Sequence, residues 1–359
     1  TIFLALGPLL GGFLTQVFSW RAVFWINFPI ALISIILAIS SVPTWRRREK
    51  LNIDYLGFFI SVIFISGFVL GFMEAPNWGW TSLPIMGLFL LSIISLITFI
   101  GWEKKIPHPL VELTLFKNLT FTTLFSVLLI IQAVAIVFVF LAIFLQNVLH
   151  YSPLMAGLLL LPAMVPIMLM APVGGHLRDK YGPTLPMFCG ALLVVLSLIW
   201  IAIFSHNRGY AWLFPGLLVY GIGMPLILSG IMATVMNMVN AQQRGMASAI
   251  FNCARQFGNT IGLALLTGLL ASVNKWQLNS FLHHSPVPLS RLKEQQIDGL
   301  LVQSDQAMKA IAHLSLAHIE LLKTAALNAY TNAFSMTLLA AAILAFLSLF
   351  LILKIPRKQ

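Results

Sequence analysis

A single arginine inside a long apolar segment is the sharpest chemical feature of this sequence. Arg255 lies eleven residues beyond Arg244, where a cation is costly unless water, a carboxylate or backbone carbonyls solvate it. Asn252 and Gln256 lie within one helical turn of Arg255 and can share its hydrogen bonds. Two interpretations stay open. Arg255 either binds anionic groups or tunes a carboxylate in a cavity, or it bonds to helix carbonyls near one membrane face.

Carboxylates, by contrast, lie at the ends of the apolar segments. Asp54, Glu74 and Glu103 all occupy such positions, and no carboxylate lies deep within a segment. A proton-coupled transporter needs a group whose protonation changes with access, normally a desolvated carboxylate. The sequence therefore presents no evident coupling group, and either the group lies elsewhere or this chain does not couple.

An uncharged polar residue, Gln132, lies in the middle of another apolar segment and is a candidate for the wall of a substrate cavity. Phe138, Phe140 and Met224 could line an apolar pocket for lipophilic cations or neutral compounds, with plain packing as the alternative. The sequence has no cluster of carboxylate, His or Ser–His residues typical of catalysis, no phosphate-binding loop and no metal-ligand spacing. We therefore expect neither an enzyme nor a metal or organic cofactor.

The elements that must position these residues follow from composition. Hydrophobic residues make up 59% of the 359 residues and charged residues 9%, less than half the share usual in soluble domains. One core cannot hide so much apolar surface, so the sequence predicts an all-α polytopic membrane protein. About ten segments reach the length of about 20 residues that spans a bilayer: 1–18, 22–42, 54–73, 82–102, 119–146, 154–173, 184–204, 211–236, 245–273 and 330–353.

The net charge of +11 is explained by membrane topology rather than by nucleic acid. When the loop 43–53 is placed in the cytoplasm and the spans alternate from there, the short outer loops hold only Arg21 and Arg208. The inner segments hold thirteen basic residues: Arg46, Arg47, Arg48, Lys50, Lys104, Lys105, Lys117, Arg178, Lys180, Arg244, Lys354, Arg357 and Lys358. This bias predicts a cytoplasmic C-terminus. We expect a lipid bilayer as the partner and no nucleic acid.

Glycine and proline interrupt the first apolar segment in the stretch ALGPLLGGFL. Four residues there disfavour an ordinary soluble helix: Gly7, Pro8, Gly11 and Gly12. Gly7 and Gly11 have the small-xxx-small spacing that lets helices approach closely in lipid, and Pro8 is expected to bend the helix. Gly258 and Gly262 repeat the close-approach spacing in the ninth segment. These patterns predict tight, bent packing.

The arrangement of these motifs resembles that of one transporter family. ALGPLLGGFL followed by WRAVFWINFPI (20–30) is similar to the fifth helix and following loop of drug:proton antiporters in the major facilitator superfamily. FLQNVLHYSPLMAGLLLLPA (144–163) resembles the outer loop and second helix of the family's C-terminal half. GMASAIFNCARQFGNTIGLAL (245–265) resembles the penultimate helix of its fourteen-helix, EmrB/QacA-type branch. The resemblance covers nearly all of the chain except 274–329.

GGHLRDKYG (174–182) matches the family's inner-loop pattern through Gly175, Asp179, Lys180 and Gly182. Asp179 precedes the next span, so we expect it near that helix's N-terminus, where the helix dipole favours an anion. The resemblance implies that Asp179 latches inner helix ends in one state and releases them in another. Lys180 and its neighbour Arg178 have a simpler alternative as positive-inside charges.

The resemblance also implies a division of the chain. Residues 1–42 correspond to helices five and six of an N-terminal half, 43–118 to two linker helices with inner loops, and 119–359 to a complete six-helix C-terminal half. The outer segment 274–329 carries apolar residues at helical spacing, which indicates an amphipathic helix that could continue into the last span. On this reading helices one to four are missing and the chain is an N-terminally truncated fragment, about ten helices of fourteen.

The function that the resemblance implies is multidrug efflux. Such a protein expels small lipophilic or cationic compounds from the cytoplasm across the bacterial inner membrane, in exchange for protons driven by their gradient. A periplasmic adaptor and an outer-membrane channel are possible further partners. The alternative is an inactive remnant or a structural membrane partner without transport.

Overall fold

The computed structural model describes residues 2–41, 54–107, 109–240, 244–284 and 316–355, and the regular structure in these ranges is helical. Apolar segments form helices because a helix satisfies all of its own backbone hydrogen bonds away from water. The described helices are α1 (Ile2–Val17), α2 (Ala22–Trp25), α3 (Asn27–Ser41), α4 (Tyr55–Trp78), α5 (Leu83–Glu103), α6 (Leu119–Ala135), α7 (Val137–Asn147), α8 (Pro153–Leu159), α9 (Leu161–Tyr181), α10 (Thr184–Phe204), α11 (Tyr210–Met238), α12 (Arg244–His284) and α13 (Leu316–Leu353).

The described helices confirm the all-α membrane fold. Eight helical segments are long and apolar enough to cross a bilayer, with α2 and α3 read as one segment and α6 and α7 as another. A ninth span results when α8 and α9, which are bent by 40° at their junction, are taken together. The 16 residues of α1 form a further, shorter apolar helix. These elements account for the ten predicted spans.

The predicted outer segment 274–329 is helical at both of its described ends. The span predicted to end at 273 continues as α12 to His284, and the span predicted to begin at 330 starts as α13 at Leu316. The extension of α12 is bonded to the start of the predicted last span, where Asn332 Nδ2 donates to Gln277 Oε1 over 3.1 Å. The predicted continuation of a helix into the last span is therefore found, whereas residues 285–315 lie outside the described part of the chain.

The helices from α6 to α13 share one hydrophobic core. Phe144 of α7 stacks on Phe334 of α13 with ring centroids 4.4 Å apart. Helices α10 and α11 touch through two glycines: a Cβ on Gly190 would lie 2.6 Å from the Gly223 carbonyl oxygen, and a Cβ on Gly223 would lie 2.7 Å from that of Gly190. Small residues thus bring the backbones together, as membrane helices require for packing.

Helices α4 and α5 form a pair that packs through α4 against α12. Phe64 of α4 contacts Phe257 of α12 at 5.6 Å between ring centroids. Farther along, Trp80 Nε1 donates to Ser272 Oγ over 3.1 Å. Helix α1 packs against α8 and α9.

Candidate functional site

A cavity of about 670 Å³ lies where α1 faces the helices from α6 to α12. Its volume falls within the range of pockets that enclose small molecules. Its wall includes Gly7 of α1, Gln132 of α6, Phe138 of α7, Met164 of α9, Tyr220 and Met224 of α11, and Arg255 and Asn259 of α12. Most of the remaining lining residues are apolar. The fold brings these groups together from six helices: α1, α6, α7, α9, α11 and α12.

Helix α12 contributes the charged group of the cavity wall. Arg255 and Asn259 are four residues apart, so both lie on the same helix face. Within the described residues, no carboxylate forms an ion pair with Arg255, and none lies in the cavity wall. The guanidinium charge is therefore directed at a space large enough for a ligand.

A close helix contact places Gln132 in the same wall. A Cβ on Gly258 would lie 2.6 Å from the Leu129 carbonyl oxygen and 3.0 Å from Gln132 Cβ. One turn later, a Cβ on Gly262 would lie 2.5 Å from Ala133 Cα. Helices α6 and α12 therefore meet at the two glycines that the spacing predicts, and this contact brings Gln132 beside the helix that carries Arg255.

Tyr220 supplies a polar group that sequence reasoning missed. Its ring packs edge-on against Phe138, with centroids 4.8 Å apart, and its buried hydroxyl has no hydrogen-bond partner among the described groups. A buried hydroxyl without a partner costs free energy, so a ligand acceptor in the cavity would satisfy it. Tyr220 lies four residues before Met224, which also lines the cavity, and this helical spacing is the signal that could have found it.

The wall as a whole combines apolar surface with few polar groups. Aromatic rings and two methionines offer contact area to lipophilic compounds, and Arg255, Gln132 and Tyr220 offer hydrogen bonds and one positive charge. This arrangement is typical of a binding site for amphiphilic small molecules.

Comparison with known proteins decides the family. Residues 1–263 match the family described as the Major Facilitator Superfamily. The chain belongs to this superfamily. Membership and the long apolar helices together identify it as an integral membrane protein, and they make the lipid bilayer its surroundings.

Several superfamily members resemble this chain in sequence. Multidrug resistance protein Stp of Mycobacterium tuberculosis is 30% identical over 79% of this chain and 53% of its own length. The tetracenomycin C resistance and export protein of Streptomyces glaucescens is 28% identical over 75% and 50%. Multidrug transporter protein MdtP of Bacillus subtilis is 24% identical over 96% and 67%. The chain spans about half the length of the first two relatives.

In this superfamily member, the inner-loop pattern lies at the end of α9. Asp179 was expected at the N-terminus of the following helix, but it lies in the last turn of α9 and pairs with Arg178, whose Nε donates to Asp179 Oδ1 over 2.9 Å. Helix-forming residues carry α9 through Tyr181, and the helix ends at Gly182, where φ is +78°. Lys180 Nζ lies 5.1 Å from the centroid of the Tyr181 ring.

The two adjacent glycines at the start of this pattern have different surroundings. A Cβ on Gly175 would meet nothing within 4 Å, whereas one on Gly174 would lie 2.5 Å from Ser229 Oγ. The neighbouring glycine, outside the family pattern, therefore makes the close approach between α9 and α11.

The glycines of α1 show a similar shift by one position. A Cβ on Gly7 or Gly11 would meet nothing within 4 Å, while one on Gly12 would overlap the Pro153 carbonyl of α8. The close approach thus lies at Gly12 rather than at the pair with small-xxx-small spacing, because that face of α1 meets the start of α8. Gly7 lines the cavity, and α1 continues as a helix across Pro8.

The structure separates the predicted cavity residues into two groups. Arg255 and Gln132 line the cavity, as do Phe138 and Met224. Asn252, Gln256 and Phe140 are not among its lining residues, and Phe140 is buried in the core. Gln256 follows Arg255 directly and so points about 100° away around the helix. Asn252 lies one turn toward the start of α12.

Proposed function

We propose that these helices belong to a multidrug efflux transporter that moves hydrophobic and amphiphilic compounds out of the cytoplasm. The observation that carries this proposal is the cavity between α1 and the later helices, with its apolar wall and its one cationic side chain. Relatives named for multidrug resistance and for export support the same direction of transport. Lipophilic compounds that carry a polar or charged group are the substrates that such a wall fits.

We propose further that the transporter is of the fourteen-helix type. The α4–α5 pair stands between α1–α3 and the six-span unit from α6 to α13, as two linker helices between two halves would. In this arrangement residues 1–42 belong to the first half, 43–118 to the linker and 119–359 to the second half. Transport then proceeds by rocking of the halves about the cavity.

The proposed orientation follows from charge. Among the described residues, Lys104, Lys117, Arg178 and Arg244 lie at or beyond helix ends that share one side of the alternating helices. The positive-inside rule places that side, and with it the end of α13, in the cytoplasm of a bacterium. A periplasmic adaptor and outer-membrane channel would then meet the opposite side.

We propose that transport is coupled to protons. Coupling needs a group whose protonation changes as the cavity opens to each side, and the described cavity wall supplies no carboxylate. The coupling carboxylate is therefore expected in a part of the transporter outside the described wall.

Efflux of a lipophilic cationic dye tests the proposal. The transporter containing these helices is expressed in bacteria that lack their own efflux pumps, and dye accumulation is measured with and without an uncoupler of the proton gradient. We expect lower accumulation than in cells with empty vector, and loss of the difference with the uncoupler. Equal accumulation at verified membrane expression would contradict the proposal and favour a remnant or a structural partner.

Arg255→Ala tests the role of the cavity cation. We expect a change in efflux of at least several-fold for substrates with charged groups, because an exposed cation in the cavity interacts directly with substrate charge. Arg244→Ala is the matched control, since it removes the same charge from the same helix outside the cavity wall. Equal efflux by both variants would exclude Arg255 from the substrate site.

A further inference from the structure

Two buried carboxylates lie beside each other where α4 begins and α5 ends, away from the cavity. Asp54 is 5% exposed and Glu103 is 3% exposed. A Cβ on Gly57 would lie 2.9 Å from Glu103 Oε1 and would overlap Asp54 Oδ2. Because Gly57 has no side chain, both oxygens reach the same small space, and the two groups are close enough to repel each other when both are ionised.

Three of the four carboxylate oxygens in this pair have hydrogen-bond donors. Asp54 Oδ1 accepts from Gly57 N at 2.9 Å, and both Asp54 oxygens accept from Trp102 Nε1, at 3.0 and 3.2 Å. Glu103 Oε2 accepts from Val111 N at 3.1 Å. Glu103 Oε1, which faces Asp54, is buried and has no donor among the described groups.

Among the described residues, no positive charge is paired with these carboxylates. The titratable groups described on the elements packed around them include Tyr55, Lys104, Lys105, Glu112, Arg244 and Arg255. Within the described residues none of these cations forms an ion pair with Asp54 or Glu103; residues 42–53 and His108 lie outside that part of the chain. Two ionised carboxylates buried side by side are unfavourable, and one proton relieves both the repulsion and the missing donor.

We propose that Asp54 and Glu103 form a proton-binding site that holds one proton between the two carboxyl groups. The proton joins Glu103 Oε1 to Asp54 Oδ2, while the donors from Gly57, Trp102 and Val111 hold the remaining oxygens in place. The site is separate from the substrate cavity and does not depend on the proposed transport. When the pH rises, the proton leaves and the two like charges repel each other.

Infrared spectroscopy of the whole chain in lipid tests the site directly. A protonated carboxyl group gives a C=O stretching band that shifts in D₂O, and we expect this band at neutral pH and its loss on alkaline titration. Separate isotope labelling of aspartate and glutamate carboxyl groups assigns the band without any substitution. Glu103→Gln and Asp54→Asn are each expected to abolish it. Glu74→Gln, which changes a carboxylate at the other end of α4, is the matched control and is expected to retain it.

Two results would overturn the proposal. The first is a wild-type spectrum without a protonated carboxyl band at neutral pH, as expected if a basic residue of 42–53 or a bound cation neutralised the pair. The second is a band that persists in both Glu103→Gln and Asp54→Asn. The first result is measured on the wild-type protein. It can therefore overturn the proposal even if a variant misfolds.

Discussion

Two tyrosines of α11 differ in whether their hydroxyl group has a hydrogen-bond partner among the described groups. Tyr210 OH donates to the Leu159 carbonyl oxygen over 2.8 Å and so ties α11 to α8. Tyr220 OH has no partner among the described groups, although the residue is buried in the core. The first hydroxyl therefore stabilises the fold, and the second is kept at a cost that substrate binding would explain.

Replacement of each tyrosine by phenylalanine separates these roles. We expect Tyr210→Phe to lower the free energy of unfolding by about 1 kcal/mol, because a carbonyl loses its donor. Tyr220→Phe is expected to leave it unchanged or higher, yet to weaken efflux of substrates with hydrogen-bond acceptors. Thermal unfolding in detergent and dye efflux measure the two effects. Destabilisation by Tyr220→Phe as large as that by Tyr210→Phe would contradict the assignment.

The glycine that follows α9 determines where this helix ends. Gly182 adopts a φ of +78°, which side chains disfavour, and there α9 stops before α10 begins at Thr184. The Arg178–Asp179 pair precedes this stop, and the Asp179 side chain is 67% exposed. Exposed pairs of this kind contribute little to stability, so backbone geometry rather than charge determines where the helix ends.

Two alanine substitutions within the inner-loop pattern test this distinction. Gly182→Ala is expected to destabilise the protein by about 1–3 kcal/mol, because alanine must adopt a sparsely populated backbone conformation. Gly175→Ala, inside α9 with open space around its Cβ position, is expected to be neutral or to stabilise by up to about 1 kcal/mol. Thermal unfolding compares them, and equal midpoints would show that the glycine conformation at 182 is not required.

At the scale of the whole molecule, α1 closes one side of the cavity against the later helices. Gln16 Oε1 accepts from Leu154 N over 3.1 Å, and Gly12 lets α1 touch the start of α8. In a transporter that alternates between two open states, one side of the cavity opens when such a contact separates. The α1–α8 contact is the described candidate for that closure.

A reversible cross-link tests this closure. In a background without Cys189 and Cys253, the pair Gln16→Cys and Leu154→Cys is oxidised to a disulfide. We expect dye efflux to fall to the uncoupled level and to recover on reduction, because α1 and α8 can no longer separate. Each single cysteine variant is the control. Undiminished efflux with a complete cross-link would mean that this contact stays closed throughout transport.

Local patterns in the sequence determined much of this protein. The length of the apolar segments predicted an all-α membrane fold, because a bilayer imposes one length and one backbone solution on every span. The spacing of Gly258 and Gly262 predicted a close helix contact, and the isolated charge of Arg255 left two alternatives, a cavity residue or an arginine bonded to helix carbonyls. Each of these inferences depends on only a few neighbouring residues.

Only the tertiary structure decided which residues meet across the chain. The convergence of Gln132, Tyr220 and Arg255, and the pairing of Asp54 with Glu103, join residues far apart in sequence. The sequence named Gly7, Gly11 and Gly12 for close packing of α1, and among the described contacts only Gly12 makes a close approach. Periodicity gives the face of a helix but not its partner or its rotation against that partner. Those are decided by packing of all the helices together, where a rotation of one residue, about 100°, exchanges a contact for open space.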